Sequence, residues 1–265
     1  MIKSVIDFKK EKKRKKLIVL SFQLGFLLVF LFTWEILARK GIINEFLLSK
    51  PSSIILLFFT YLKDGTLMDH LLISTLEALI ALIISTTLGI IISISIFLSD
   101  TIMKIVDPYL TILNAIPKSA SGIIFIIWFG TSYKGIIAVS VSFSIIISII
   151  NCLSYFKSVD KDYIKMAKVL GANKFQILTK IILPASLENL LSLLKVNIGL
   201  SWVGVVVGEF LVSKKGIGYL ILYGGQVFKM DLVMMGILVL SFIALGMYQL
   251  INILQKIVRK LINHN

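Results

Sequence analysis

Charged side chains inside apolar runs are where this sequence could do chemistry, and they are few. Lys118 and Lys195 each stand in a long apolar stretch, Glu77 and Glu209 lie near the ends of such stretches, and Pro117 interrupts one that also holds Asn114, Ser119, Ser121 and Gly122. A charge at the centre of a hydrocarbon layer costs about 2.5–3.5 kcal/mol or more unless it is paired or hydrated, so such residues usually face a bundle interior or a watery cavity. Pro117 removes one helix hydrogen bond and frees a carbonyl, which a membrane tolerates only where it is buried in protein or lines such a cavity. The Asn114, Pro117, Lys118, Ser119 group therefore reads as a polar break on a translocation pathway, with a packing kink as the weaker alternative. Lys195 either faces the same interior or snorkels towards the nearer surface. Glu209 is expected to hold a gate or a neighbouring helix, and Glu77, without an assignable partner, to sit exposed near the outer interface.

Catalysis is not expected. No Gly-x-x-x-x-Gly-Lys-Ser/Thr stretch occurs, so the chain has no phosphate-cradling loop of that kind, and no nucleophile and base set stands in the runs. The single cysteine, Cys152, excludes an intrachain disulfide, and the two histidines, His70 and His264, are far apart in sequence. No cofactor or metal is assigned to this chain.

The elements that position these residues follow from composition. Of 265 residues, 57% are hydrophobic and 16% charged, against about 45–50% apolar and about 25% charged in soluble domains. Six apolar runs reach the ~20 residues needed to cross about 30 Å of hydrocarbon: 17–37, 71–98, 102–129, 135–156, 187–212 and 232–258. The net charge of +14 comes from lysines and arginines crowded into the N-terminal tail, the 157–184 loop and the C-terminus. That bias places both termini and the loop in the cytoplasm of a multi-pass protein of the cell membrane. The run 9–16 reads as an orientation signal on anionic lipid, favoured over a nucleic-acid or partner site. The first apolar stretch is too long for a removable signal peptide and is expected to stay as an anchor. Residues 1–70 thus comprise a basic tail, the first helix and an outer segment, in which Ser49-Lys50-Pro51-Ser52-Ser53 predicts a turn and 54–62 a short interfacial helix. Residues 71–258 form the main transmembrane domain and 259–265 a cytoplasmic tail. Gly199, Gly204 and Gly208 permit close helix approach. Trp202 reads as a packing residue, and Gly216-Ile217-Gly218-Tyr219 as a re-entrant turn, a gate or a flexible loop.

The cytoplasmic loop has more pattern than a connector needs. Asp160 can cap a short helix with Tyr163, Ala167 and Leu170 on one face, and Gly171 can end it. Asn173 and Gln176 suit a capping box for a second short helix with the stripe Phe175, Leu178, Ile182. Pro184, Ser186 and Glu188 suit the first turn of a fresh helix. Such an elbow could press on another protein or rest on the membrane as an amphipathic linker.

The run 163–172, Tyr-Ile-Lys-Met-Ala-Lys-Val-Leu-Gly-Ala, followed by Ile181-Ile182-Leu183-Pro184, resembles the cytoplasmic loop of binding-protein-dependent ABC importer permeases. Lys165 and Met166 stand where that family has Glu and the first Ala, while Ala167, the Gly171 corner and Leu183-Pro184 keep register. Ile116-Pro117-Lys118-Ser119-Ala120, Trp128-Phe129-Gly130, Ser201-Trp202, the run 205–209 and the run 216–219 resemble the nitrate, sulfonate and taurine group. The resemblance implies an all-α fold of six transmembrane helices with a coupling-helix elbow, the type I importer permease fold. It also implies that Ala167, Lys168, Leu170, Gly171, Ala172, Leu183 and Pro184 dock on a separate ATPase that binds ATP and Mg. The pathway would involve Asn114, Pro117, Lys118, Ser119, Lys195, Ser201, Trp202 and Glu209. Implied partners are an extracytoplasmic binding protein and a second permease copy, with a pyrimidine vitamin precursor as the alternative cargo. A secondary transporter is the weaker reading, since it would need coupling carboxylates near the midplane.

Overall fold

The computed structural model describes residues 2–263, so His264 lies outside the described residues, and it contains no strand among them. The first crossing, α1 (Ile2–Arg39), is a single long helix. Two short helices follow, α2 (Glu45–Leu48) and α3 (Pro51–Lys63), with Ser49 at φ 56° in the turn between them. α4 (Thr66–Phe97) is the second crossing. The third is split into α5 (Asp100–Ala115) and α6 (Lys118–Phe129), and α7 (Tyr133–Lys157) is the fourth. The elbow comprises α8 (Lys161–Val169) and α9 (Lys174–Ile177), which runs through a π-helical turn at Leu178–Ile182 into α10 (Leu183–Val212). α11 (Ile217–Gln226) and α12 (Met230–Asn263) complete the chain. Among the described residues five helices are long and apolar enough to span a bilayer, or six crossings when the bent pair counts as one.

The centre of the subunit is the contact of α7 with α4 and α10. Lipid tails are as apolar as leucine, so helices in a membrane gain by close backbone approach rather than by hydrophobic burial. A Cβ on Gly89 would collide with Ser148, and one on Gly204 with the Ser140 backbone. A Cβ on Gly208 would come within 3.0 Å of Ile136 Cα. Gly199, expected to do the same, faces open space. The Ser140 hydroxyl donates to the Ser201 carbonyl at 2.8 Å. Asn197 Nδ2 donates to Thr86 Oγ1 at 2.8 Å and to Ser148 Oγ at 2.7 Å, so one side chain on α10 ties both other helices. Around this seam pack Ala78, Leu82, Ile136, Ile198, Trp202, Val205 and Met247.

α1 lies at the periphery. Its apolar stretch is exposed, and it is anchored near its end, where Glu35 accepts from the Ser52 amide at 3.0 Å and hydroxyl at 2.9 Å. α3 packs on the bundle more firmly than an interfacial helix would, with Ile54 buried among Leu67, Ile217, Leu232 and Met235.

Two helix boundaries differ from expectation. The run 102–129 is not one helix but two, at 98° to each other, because Pro117 has no amide to donate and holds Ile116 in extended backbone. Pro184, by contrast, does not start a new helix. The π turn before it widens the ladder, so the missing amide is absorbed and the helix continues from Lys174 to Val212.

Candidate functional site

At the elbow, each cap predicted from sequence is made. Asp160 Oδ1 accepts the Asp162 amide at 2.9 Å, and α8 ends where Gly171 adopts φ +81°. The Gly171 amide donates to the Lys168 carbonyl and the Ala172 amide to the Ala167 carbonyl, both at 3.0 Å. This left-handed residue closes the helix without a Cβ penalty. Asn173 and Gln176 then form a full capping box, with bonds of 2.8 and 2.9 Å.

The faces of the elbow are arranged differently from the expected stripes. Ala167 is buried, with Ile164 beside it, against Cys152, Phe156, Leu178 and Ile182, whereas Tyr163 and Leu170 point outward with Met166 and Val169. Val169 and Leu170 are 87% and 78% exposed, a large apolar exposure for a helix end. In the second helix Phe175 is exposed, and Ile177 joins Leu178 and Ile182 inside, because the π turn shifts the register of the inward face. Lys168 is exposed, and Leu183 and Pro184 sit where the elbow runs on into α10. Lys165 pairs locally with Asp162 at 3.0 Å. Lys174 reaches Asp100 at the first turn of α5, at 2.8 Å.

The second assembly is the break between α5 and α6. Asn114, Pro117 and Ser119 are exposed there and Lys118 is half-buried, over a shallow cleft shared with Ser121, Phe125 and Ser142. The Ser121 hydroxyl donates to the Lys118 carbonyl at 2.8 Å, and the Ala120 and Ser121 amides donate to the Pro117 carbonyl at 3.1 and 3.2 Å, so that the Lys118 and Ser119 amides before them open the helix at the break.

The other residues expected beside a pathway lie elsewhere. Ser201 and Trp202 are buried in the seam between helices, Trp202 donating its indole N–H to Met247 Sδ at 3.2 Å. Small residues on α7 and α10 bring those helices too close to leave a channel between them. Lys195 turns to α12, where its ammonium bonds Gln255 Oε1 and lies 5.5 Å from the Tyr248 ring centre. It neither snorkels freely nor meets the α5–α6 break.

Glu209 is fully buried at the end of the bundle opposite the elbow. Its Oε1 accepts from Ser74 Oγ at 2.5 Å, and its Oε2 accepts from the Gly218 amide at 2.5 Å and the Tyr219 amide at 3.3 Å. It thereby caps α11, supplying an acceptor to amides that no carbonyl can reach. The Gly216-x-Gly218 spacing is explained here. A Cβ on Gly216 would run into the Glu209 carboxyl, and one on Gly218 would lie 2.6 Å from Oε2. This segment is thus a tightly packed helix start rather than a flexible loop. His70 Nδ1 accepts the Gly216 amide at 2.8 Å, and Ser74 Oγ accepts the Ile217 amide at 2.8 Å.

Glu77 corrects the sequence reading outright. It is 6% exposed, not at the surface, and its Oε2 has no hydrogen-bond partner. The spacing His70, Ser74, Glu77 follows one face of a helix, a signal legible in the sequence had those residues been read together. Asn197 was also passed over, since one amide in an apolar run has no spacing to mark it.

Among the described residues no group of three or more His, Cys, Asp or Glu side chains is placed to hold a metal ion.

Residues 85–264 match the family described as binding-protein-dependent transport system inner membrane component. SsuC of Bacillus subtilis (strain 168), a permease assigned to aliphatic sulfonate transport, is 31% identical over 78% of this chain and 75% of its own. The taurine transport system permease protein TauC of Escherichia coli (strain K12) is 29% identical over 84% of this chain and 83% of its own. The crystal structure of a bacterial ABC transporter involved in import of the acidic polysaccharide alginate has a chain of the same fold. It superposes with a TM-score of 0.64 at 16% identity, over 93% of this chain and 97% of that one. With the family model matched over more than half its length, and with the elbow and split crossing in place, the chain belongs to the binding-protein-dependent transport system inner membrane component family and is a permease subunit of an ABC importer.

Proposed function

We propose that two copies of this permease enclose the pathway of an importer for a small sulfonate-type anion. The anion is handed over by an extracytoplasmic binding protein, and transport is driven by ATPase subunits that bind ATP and Mg. Both termini and the elbow lie in the cytoplasm. The observation that carries the reading is the elbow itself, where Tyr163, Met166, Val169 and Leu170 expose an apolar rim beside the capped Gly171 corner. A solvated turn gains nothing from such a rim, whereas a docked one buries it. The second copy is supported by the α5–α6 break, whose polar residues lie open beside the exposed Ile112, Ile123, Ile127 and Trp128.

An anionic cargo is supported by Lys118 and by the first amides of α6 at the break, which favour negative charge, and by the taurine and sulfonate relatives. A neutral pyrimidine remains the second reading, because the formylaminopyrimidine transport permease protein ThiX of Halalkalibacterium halodurans is 30% identical over 73% of this chain. One assay separates them. Vesicles carrying the permease with its ATPase and binding protein are loaded with ATP, and uptake of taurine, an alkanesulfonate and formylaminopyrimidine is compared, with Lys118→Met as the variant. Sulfonate uptake that Lys118→Met lowers supports the reading. Pyrimidine uptake indifferent to that change selects the alternative.

A further inference from the structure

The first elbow helix, α8, has three faces. Ile164 and Ala167, three apart, turn inward onto Cys152 and Phe156 at the end of α7 and onto Leu178 and Ile182. Tyr163, Met166 and Leu170, spaced three and four apart, form an exposed apolar stripe on one flank. Lys161, Lys165 and Lys168, spaced four and three apart, form an exposed basic stripe on the other. Val169, two residues past Ala167 and so nearly opposite it on the helix, is the crest between the stripes.

The acids near the basic stripe are already engaged. Asp162 pairs with Lys165 at 3.0 Å, and Asp160 Oδ1 is turned to the Asp162 amide. Lys168 borders a small cleft with Ile164, Asp100 and Lys174, but Asp100 is held by Lys174 at 2.8 Å. Among the described residues no carboxylate forms an ion pair with Lys161 or Lys168. In water this costs little, because both ammoniums stay hydrated. Docking changes the balance. The apolar stripe and crest cannot be covered without bringing the neighbouring ammoniums under the same surface, and a charge stripped of water without a partner is costly. The membrane is poorly placed to supply that partner, since the inner face of α8 is held on the bundle and Val169, 87% exposed, points away from it.

We infer that the ATPase groove receiving the elbow is two-sided, with an apolar wall for Tyr163, Met166 and Leu170 and a carboxylate-bearing edge that pairs Lys161 and Lys168. This rests on the docking proposed above and adds the chemistry of the partner surface. The apolar stripe supplies the buried contact, and the basic stripe sets which way round the helix lies in the groove, since reversing it would set two ammoniums against an apolar wall.

The test uses the complex of the full-length permease with its ATPase, in nanodiscs of phosphatidylcholine. A carbodiimide, which condenses a lysine amine with a carboxylate in contact with it, should join Lys161 or Lys168 to aspartate or glutamate of the ATPase, read by mass spectrometry. Lys161→Glu combined with Lys168→Glu should weaken ATPase binding at low salt by about tenfold or more, and should abolish the loss of affinity that rising salt causes in the wild type. The thermal midpoint of the permease alone should stay where it is, because both side chains are exposed. Leu170→Ser separates the two readings. Unchanged binding in Leu170→Ser would overturn the docking itself. Weakened binding there, with the double lysine variant bound as tightly as wild type or with no cross-link from either lysine, would leave the docking standing and overturn the acidic edge. A loss seen only in nanodiscs that contain phosphatidylglycerol would also overturn it, by assigning the two lysines to lipid headgroups.

Discussion

Lys174 at the start of the second elbow helix and Asp100 at the start of α5 meet in a 2.8 Å ion pair across 74 residues of sequence. Apart from the packing of the elbow on its own subunit, this pair joins the elbow to the split crossing that carries Lys118. Both side chains are largely solvent-exposed, so salt and water screen the attraction and the pair contributes little to global stability. Its importance is geometric. Asp100→Lys should lower uptake per ATP hydrolysed while leaving the thermal midpoint nearly unchanged, and the double variant with Lys174→Asp should restore it. Equal uptake in all three would show that the contact is incidental.

Gly171→Val should uncouple transport from hydrolysis. At φ +81° a β-branched residue is strained, so the corner must relax and move the exposed Val169 and Leu170 relative to whatever they dock on. The apolar crossings are untouched. Membrane levels should match wild type, ATP hydrolysis should persist and uptake should fall severely, all measured on the same vesicles. Normal uptake per ATP would reduce the corner to a linker.

Gly204→Leu and Gly199→Leu form a matched pair on one helix. The first forces a Cβ into the Ser140 backbone and should lower stability by about 1–3 kcal/mol or prevent assembly. The second enters open space and should be near neutral. Thermal unfolding in detergent compares them directly, and equal effects would contradict the α7–α10 packing described above.

The orientation can be tested at Lys161, which is exposed at the start of α8. Lys161→Cys should react only with membrane-permeant reagents in intact cells. Cys152 is fully buried and should stay silent. Labelling of Lys161→Cys by an impermeant reagent would put the elbow outside and end the coupling proposal.

Local chemistry explains which parts of the structure were legible in the sequence. Caps are written in adjacent residues, so Asp160, Gly171, Asn173 and Gln176 could be read directly. The break at Pro117 was also legible as a lost hydrogen bond, but the 98° turn was not, since its size depends on packing. The elbow faces were misassigned because Ala167 is small enough to pack inward while Tyr163 is not, and because the π turn offsets Ile177 from the expected stripe. Glu77 was misread for a related reason. A lone acid near a helix start looks solvent-facing until the fold packs α4 against α7 and α10 and buries it.

The uninterrupted helix from Lys174 to Val212 has a mechanical consequence. At 39 residues it is one stiff lever about 58 Å long, with the Asp100 contact at one end and the Glu209 cap near the other. A helix broken at Pro184 would let the elbow swivel on its own. Because the π turn keeps the ladder closed, a tilt of about 5° imposed at the elbow displaces the opposite end by about 5 Å over that length. If the elbow docks on an ATPase as proposed, a small tilt there is geared up to roughly the width of a small solute at the far end.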